Sequence, residues 1–374
     1  MVIEVNKSIG TYKRKLKKLI NNPPIFFRDY FNKHYPLTHT ELGVDEATES
    51  AFIEYAGVNN VQGSELPVDV VFTWVDNTDP KWQQNYQYHK SKVDLSLVGQ
   101  FATDLARFDN HNELYYAIKA VKQNLAWVNH IYVVTDNQTP SWIDEFDGVS
   151  VIDHRQIIDE QYLPTFNSHV IEAFLHKIPN LSENFIYFND DVFVARALPK
   201  EHFYSANGLA SIFVSSKVLS ELAARGVRTP TMLATQKSLK LLQTLHPHKI
   251  TNALVHTYYP LKKSVYALAW ENFEEQIRLF LPNRFRGNND INMATFLVPW
   301  LAYYERLATE RIDVCYYFNI RSRKALTCYE KLIRLKKLGA SPHSFCANDF
   351  NSELKNPVLD YRERLLAMLE EYYD

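Results

Sequence analysis

Asp69-Val70-Val71-Phe72-Thr73-Trp74-Val75 is the stretch on which the fold turns. It is a short run of β-branched and aromatic residues, the pattern of a buried strand, and Asp76-Asn77-Thr78-Asp79-Pro80 closes it as a turn. Ile131-Tyr132-Val133-Val134-Thr135 repeats the pattern, and Phe185-Ile186-Tyr187-Phe188 does so again before Asn189-Asp190-Asp191. Between the first two runs, Leu114, Ala117, Ile118 and Val121 recur at helical spacing. Strands separated by helices predict an α/β fold with a largely parallel sheet flanked by helices. Polar residues gather just after these strands, where open α/β sheets bind their ligands.

Outward from this core the pattern changes. Val218 to Ala224, Met232 to Leu245 and Phe273 to Leu281 read as helices, with Gly226 and Pro230 separating the first two, and residues 291–308 form another long apolar and aromatic stretch. The second half is therefore expected to be mainly helical, and Arg362 to Tyr373 a final amphipathic helix. At the other end, Lys13, Arg14, Lys15, Lys17 and Lys18 accompany Leu16, Leu19 and Ile20, and Pro23-Pro24 break the helix before an aromatic run. Such a basic helix lies on an anionic membrane surface or packs its leucines on the main domain. The expected organisation is an N-terminal basic and aromatic helical extension over 1–66, a catalytic domain over 67–350 and a C-terminal helix over 351–374. The catalytic domain divides into an α/β part, 67–215, and a mainly helical part, 216–350, that completes the site.

Composition excludes several classes. The 374 residues carry a formal net charge of −2, which argues against a nucleic-acid partner. Aromatic residues make up 14%, which suits sugar stacking but equally an aromatic core. Cys315, Cys328 and Cys346 match no zinc or disulfide spacing, and no apolar run reaches the ~18 residues a membrane span needs. No signal-peptide pattern opens the chain, so a cytoplasmic location is expected. None of the glycines forms a G-x-G-x-x-G, Walker A or G-x-S-x-G motif.

The candidate chemistry is carboxylate-rich. Asp190 and Asp191, adjacent after an apolar strand, are costly unless a cation such as Mg²⁺ neutralises them, although turn or cap roles also explain such pairs. Asp69 opens a buried strand and needs a partner there, either a ligand or a neighbouring backbone amide. Arg107, Asp109, Asn110, Asn112 and Glu113 form a polar patch opening a helix; Asp109 or Asn110 caps it, or Arg107 grips a phosphate. His169, Glu172 and His176 share a helical face, a zinc spacing that lacks a further ligand nearby in sequence. His256 has the residue type for a general base and Arg286 for stabilising phosphoryl charge.

Taken together these segments resemble the Stealth family of phosphotransferases, whose four blocks occur here in order. The first is Asp69 to Pro80. The second runs from Arg107-Phe108-Asp109-Asn110 through Ala126-Trp127-Val128, Val134 to Trp142 and Leu163 to Ser168 to Ile186-Tyr187-Phe188-Asn189-Asp190-Asp191. The third holds His256 and Arg286, and the fourth is Phe345-Cys346-Ala347-Asn348-Asp349. The chain departs from the family pattern at Asp76-Asn77, usually Asn-Gly, and at Asn112, where an Asp often precedes the Glu. The resemblance implies a Rossmann-like, GT-A-like fold and transfer of a sugar-1-phosphate from a UDP-N-acetylhexosamine, UDP-GlcNAc first, to a capsular polysaccharide. It implies Asp190 and Asp191 as ligands of a divalent cation (Mg²⁺ or Mn²⁺) and catalytic roles for His256, Arg286, Asp69 and Arg107. Substrate contacts are then expected from Thr73, Trp74, Asn77, Asn110, Glu113 and Asn348. A metal-dependent glycosyltransferase releasing UDP and a non-catalytic capsule-assembly protein are the rival readings.

Overall fold

The structure is a computed structural model that describes residues 66–94, 98, 102–103, 105–224, 229–247, 250–350 and 357–374, with scattered positions between 16 and 49. Two compact units separate, Met1–His39 and Thr40–Asp374. In the first, the helix is interrupted at Asn22 rather than at the prolines; Pro23 and Pro24 are the opening residues of the next helical segment, where a missing N–H costs nothing. The basic cluster's Lys13, Arg14, Lys15, Lys17 and Lys18, and most of the expected polar connection over 41–66, lie outside the described residues.

The second unit is α/β. Its strands are β1 (Val68–Thr73), β2 (Ile131–Thr135), β3 (Val149–Asp153), β4 (Asn184–Asn189), β5 (Val192–Val194), β6 (Ala210–Val218), β7 (Asn252–Leu254), β8 (Tyr259–Lys262), β9 (Ala308–Arg311), β10 (Cys315–Asn319) and β11 (Ser344–Asn348). Five form the central sheet in the order β3-β2-β1-β4-β8. All its pairings are parallel except that of β4 with β8. Val68 to Phe72 are all buried because both faces of a parallel sheet are covered. Two three-stranded sheets, β10-β11-β5 and β7-β6-β9, complete the unit.

Helices outweigh strands after residue 216, as expected, yet β7 to β11 also lie there, all of them unread in the sequence. The helix Glu113–Asn124 is capped by neither Asp109 nor Asn110. Its N-cap is Asn112, in the left-handed region at φ 67 without a side-chain cap, and Asn110 Oδ1 instead accepts from the Asn112 N–H at 2.9 Å. Nor do His169, Glu172 and His176 share one helix. Ser168–Ala173 ends before Phe174, and His176 sits in a separate turn, Leu175–Lys177.

Beside the main core, Trp82, Tyr86, Phe166 and Phe285 form a second apolar cluster, with Phe108 packed against it. Phe166 and Phe285 stack at 5.2 Å, and Trp82 meets Phe108 at 5.3 Å. These rings immediately adjoin Arg107, Asn167 and Arg286 in the chain, so aromatic packing pins the loops that carry polar groups. Here the aromatic richness serves a core.

Candidate active site

β1 and β4 lie side by side with Thr73 opposite Asn189, and β2 flanks β1 on its other side. Their carboxyl ends define the switch point at which such sheets bind ligands. The Tyr187 hydroxyl donates to Asn189 Oδ1 at 3.1 Å and shares a hydrogen bond with Thr73 Oγ1 at 3.1 Å. At this point the chain leaves the central sheet, passes through Asp190 and Asp191, and enters β5 of the neighbouring sheet.

Three carboxyl groups interact here. Burial, then the nearby Asp191 charge, pushes Asp190 up to about 7. Burial and Asp190, with Asp191 beyond it, raise Glu113 well above the ordinary carboxylate range, even though Glu113 accepts from the His111 N–H at 2.6 Å. Asp191 Oδ2 accepts from Asn348 Nδ2 at 2.8 Å and from the Cys346 thiol at 3.4 Å, whereas its buried Oδ1 has no partner. One ligand atom each from Asp191, His256 and Cys346 lies within 4.8 Å of the others. Crowded acids that resist ionising, together with an orphaned carboxylate oxygen, are what a bound cation relieves. The site is compatible with a divalent metal ion.

Arg286 is near enough to Tyr187 to act on it electrostatically. Its guanidinium donates to Ser168 Oγ at 2.5 Å and Thr231 Oγ1 at 3.2 Å, its Nε has no partner, and burial lowers its pKa. The buried Tyr187 phenol, held above its usual range by burial and by Glu172, feels Arg286 and Asp190 alike. The loop carrying Arg286 is tied down by Asp290. Asp290 Oδ2 accepts from Asn167 Nδ2 at 2.9 Å and the Gly287 N–H at 3.1 Å and bonds the His169 ring at 2.9 Å; Oδ1 accepts from Asn283 at 2.7 Å.

The remaining expected residues separate into two groups. Asn77 Nδ2 donates to Asp109 Oδ1 at 2.7 Å, Arg321 reaches Asp109 and Asp349, and His111 bonds Asp349 at 2.8 Å. Burial alone would raise Asp349, but its bonds from His111 and Arg321 hold it below the usual range. Arg107 lies in the short turn Leu105–Phe108 that leads into this network, and Trp74 has a buried Nε1 without a partner. Asp69 does not join them. It sits at the amino end of β1, fully buried, accepting from Asn129 Nδ2 at 2.8 Å and the Ser182 N–H at 2.7 Å. Those two bonds satisfy the carboxylate at the sheet edge opposite Asp190, so the backbone-amide alternative describes Asp69.

Tyr187, Asp290, Arg321 and Asp349 were not singled out from sequence. Tyr187 and Arg321 follow apolar or aromatic runs that look like core, whereas Asp349 adjoins Asn348 and could have been read with it.

Comparison with known proteins follows this geometry. The Stealth region models match residues 66–94 (Stealth protein CR1, conserved region 1) and 107–212 (Stealth protein CR2, conserved region 2). The chain is 53% identical over 370 residues to the capsular polysaccharide phosphotransferase cps12A of Actinobacillus pleuropneumoniae, covering 96% of this chain and 98% of that one. The chain belongs to the Stealth family. To a second Stealth relative, the capsular polysaccharide phosphotransferase LcbA of Neisseria meningitidis, it is 51% identical over 96% of this chain and 99% of the other. Membership in the Stealth family makes it a transferase. Among solved structures, the glycosyltransferase GlyE of Streptococcus pneumoniae aligns at 11% identity and TM-score 0.37, over 83% of this chain and 64% of that one. A likeness that distant carries no argument about this site.

Proposed function

We propose that this chain transfers an N-acetylhexosamine-1-phosphate, GlcNAc-1-phosphate as the first choice, from a UDP-sugar to a hydroxyl of a capsular polysaccharide. The observation that carries the reading is the convergence of Asp191 and His256, with Asp190 beside them. In the proposed step the acceptor oxygen bonds to the β-phosphorus of the donor. The bond from that phosphorus to UMP breaks, and UMP leaves with the electron pair. His256 takes the acceptor's proton on a ring nitrogen, and Arg286 and Arg107 hold the phosphoryl oxygens. Asp190 and Asp191 would hold a divalent cation, Mg²⁺ or Mn²⁺, which when bound offsets pyrophosphate charge. Thr73, Trp74, Asn77, Asn110 and Glu113 line the approach to the donor in this reading, and Asn348 orients Asp191.

Among the described residues no helix is long and apolar enough to cross a membrane. We place the enzyme at the inner face of the cytoplasmic membrane, held through Lys13, Arg14, Lys15, Lys17 and Lys18, and cosedimentation with anionic vesicles tests that contact.

The decisive experiment combines the protein with UDP-N-acetylhexosamines, Mg²⁺ and capsule oligosaccharides and reads the products by ³¹P NMR. UMP release with a new phosphodiester is the expected result. UDP release would make the chain a glycosyltransferase, and no turnover at all would leave a binding protein.

A further inference from the structure

A cavity of about 820 Å³ opens against the β7-β6-β9 sheet, lined by none of the candidate active-site residues. One wall belongs to the helix Val298–Tyr304, where Trp300, Tyr303 and Tyr304 fall at i, i+3 and i+4 and so share a face. Trp300 and Tyr304 stack at 6.2 Å, and Tyr303 stands edge-on to Trp300 at 5.7 Å. His246 extends the stack, lying 5.0 Å from Tyr304. Asn252 of β7, Glu310 of β9 and Arg306 add polar groups to a lining that also includes Val214, Ile250 and Ala308.

Protein interiors leave few voids larger than a water molecule. A space of this size between aromatic rings and polar side chains falls instead in the roughly 300–1,000 Å³ range of ligand sites. Two details describe what the lining offers an occupant. Trp300 is only 6% exposed and its Nε1 is sealed from solvent, so Tyr303 and Tyr304 present the accessible ring faces of this wall. Arg306 occupies the left-handed region at φ 60, where glycine or asparagine would be the low-cost residue. The Tyr303 hydroxyl donates to Glu310, which raises the Tyr303 pKa through its charge and occupies that carboxylate. Arg306 is thereby left as the cation of the cavity lining.

We propose that this cavity is a second carbohydrate site, which holds the acceptor polymer away from its reacting end. The Tyr303 and Tyr304 rings take the C–H faces of pyranose units, and Arg306 pairs with a phosphodiester of the chain. This rests on the reading that the acceptor is a polysaccharide containing such linkages. Binding energy gathered there lowers the KM of long acceptors without touching the chemical step.

The test uses size-fractionated oligosaccharides prepared from the producing strain's own capsule and two variants, Tyr304→Ala and Arg306→Gly. Arg306→Gly relieves the left-handed residue, so its melting temperature should hold or rise, which separates a binding defect from misfolding. For both variants, kcat/KM for long acceptors is expected to fall about tenfold or more, with that for the shortest active acceptor unchanged. In parallel, calorimetric binding of the long fraction to the inactive Asp190→Asn protein should weaken when Arg306→Gly is added. Equal kinetics at both lengths together with unchanged binding would overturn the second site. Because binding is measured without turnover, the site can fail while the transfer reaction stands, or the reverse.

Discussion

Asn348 Nδ2 lies 2.8 Å from Asp191 Oδ2, so the last residue of β11 steadies one oxygen of the carboxylate and leaves the other without a partner. Outer partners of this kind typically govern metal affinity about 10–100-fold. Asn348→Ala should therefore raise the Mg²⁺ concentration needed for half-maximal turnover by about tenfold or more, and Asn348→Asp, which adds a like charge, by more still. Titrating activity against Mg²⁺ checks this, and an unmoved midpoint would remove Asn348 from the metal's surroundings.

Arg286 and Asp290 should separate by rescue. Arg286→Ala is expected to lower kcat about a hundredfold or more, with partial recovery in added guanidinium. Asp290 acts on Arg286 through the loop it ties to Asn167, Gly287 and Asn283. Asp290→Asn should lower kcat and melting temperature together and gain nothing from guanidinium. Rescue of both variants, or of neither, would contradict the division of roles.

Asp69 is expected to matter for stability alone. Asp69→Ala removes the acceptor of the Asn129 amide and the Ser182 N–H, partly buried hydrogen bonds to a charged group worth roughly 1.5–3 kcal/mol each. Denaturant unfolding should show that loss, while turnover per folded molecule stays near wild type. A collapse of kcat in folded Asp69→Ala would return it to the catalytic set.

His154 gives the chain an acid-sensitive term. It is 3% exposed, neither ring nitrogen has a partner, and burial lowers its pKa from 6.5 to about 4. Below pH 6.5 the unfolded chain takes up a proton that the folded chain refuses until about 4. Its contribution is thus intact above that window and is lost as pH falls through it, at about 1.4 kcal/mol per pH unit. His176 and His202, also lowered to about 4, act in the same direction. Urea unfolding at pH 7 and pH 5 should show a smaller drop for His154→Phe than for wild type. Equal drops would exclude the buried imidazole as a source.

What the sequence could show follows from how local each signal is. β2 was read at its true limits, and β1 and β4 to within two residues, because a fully buried parallel strand is an unbroken apolar run. β10 and β11 escaped that reading. They pair with each other and with β5 across long separations, and their runs sit among tyrosines and cysteines that periodicity cannot sort. Among the candidate site residues, Asp190, Asp191, His256 and Arg286 stood out as polar residues in distinctive contexts, and Asn348 through the family resemblance. Asp69 stood out equally, and only the contacts of Asn129 and Ser182 reveal its different task. Asp290 was hidden because it joins its neighbours Asn283 and Gly287 to Asn167 and His169, more than a hundred positions away.

The last of the described strands, β11, carries the amide that holds Asp191. During synthesis the acidic pair leaves the ribosome some 157 residues before that amide. Until Asn348 is made, the nascent chain carries the Asp190-Asp191 turn without that amide. Proteolysed fragments ending before Asn348 should therefore be inactive in the transfer assay.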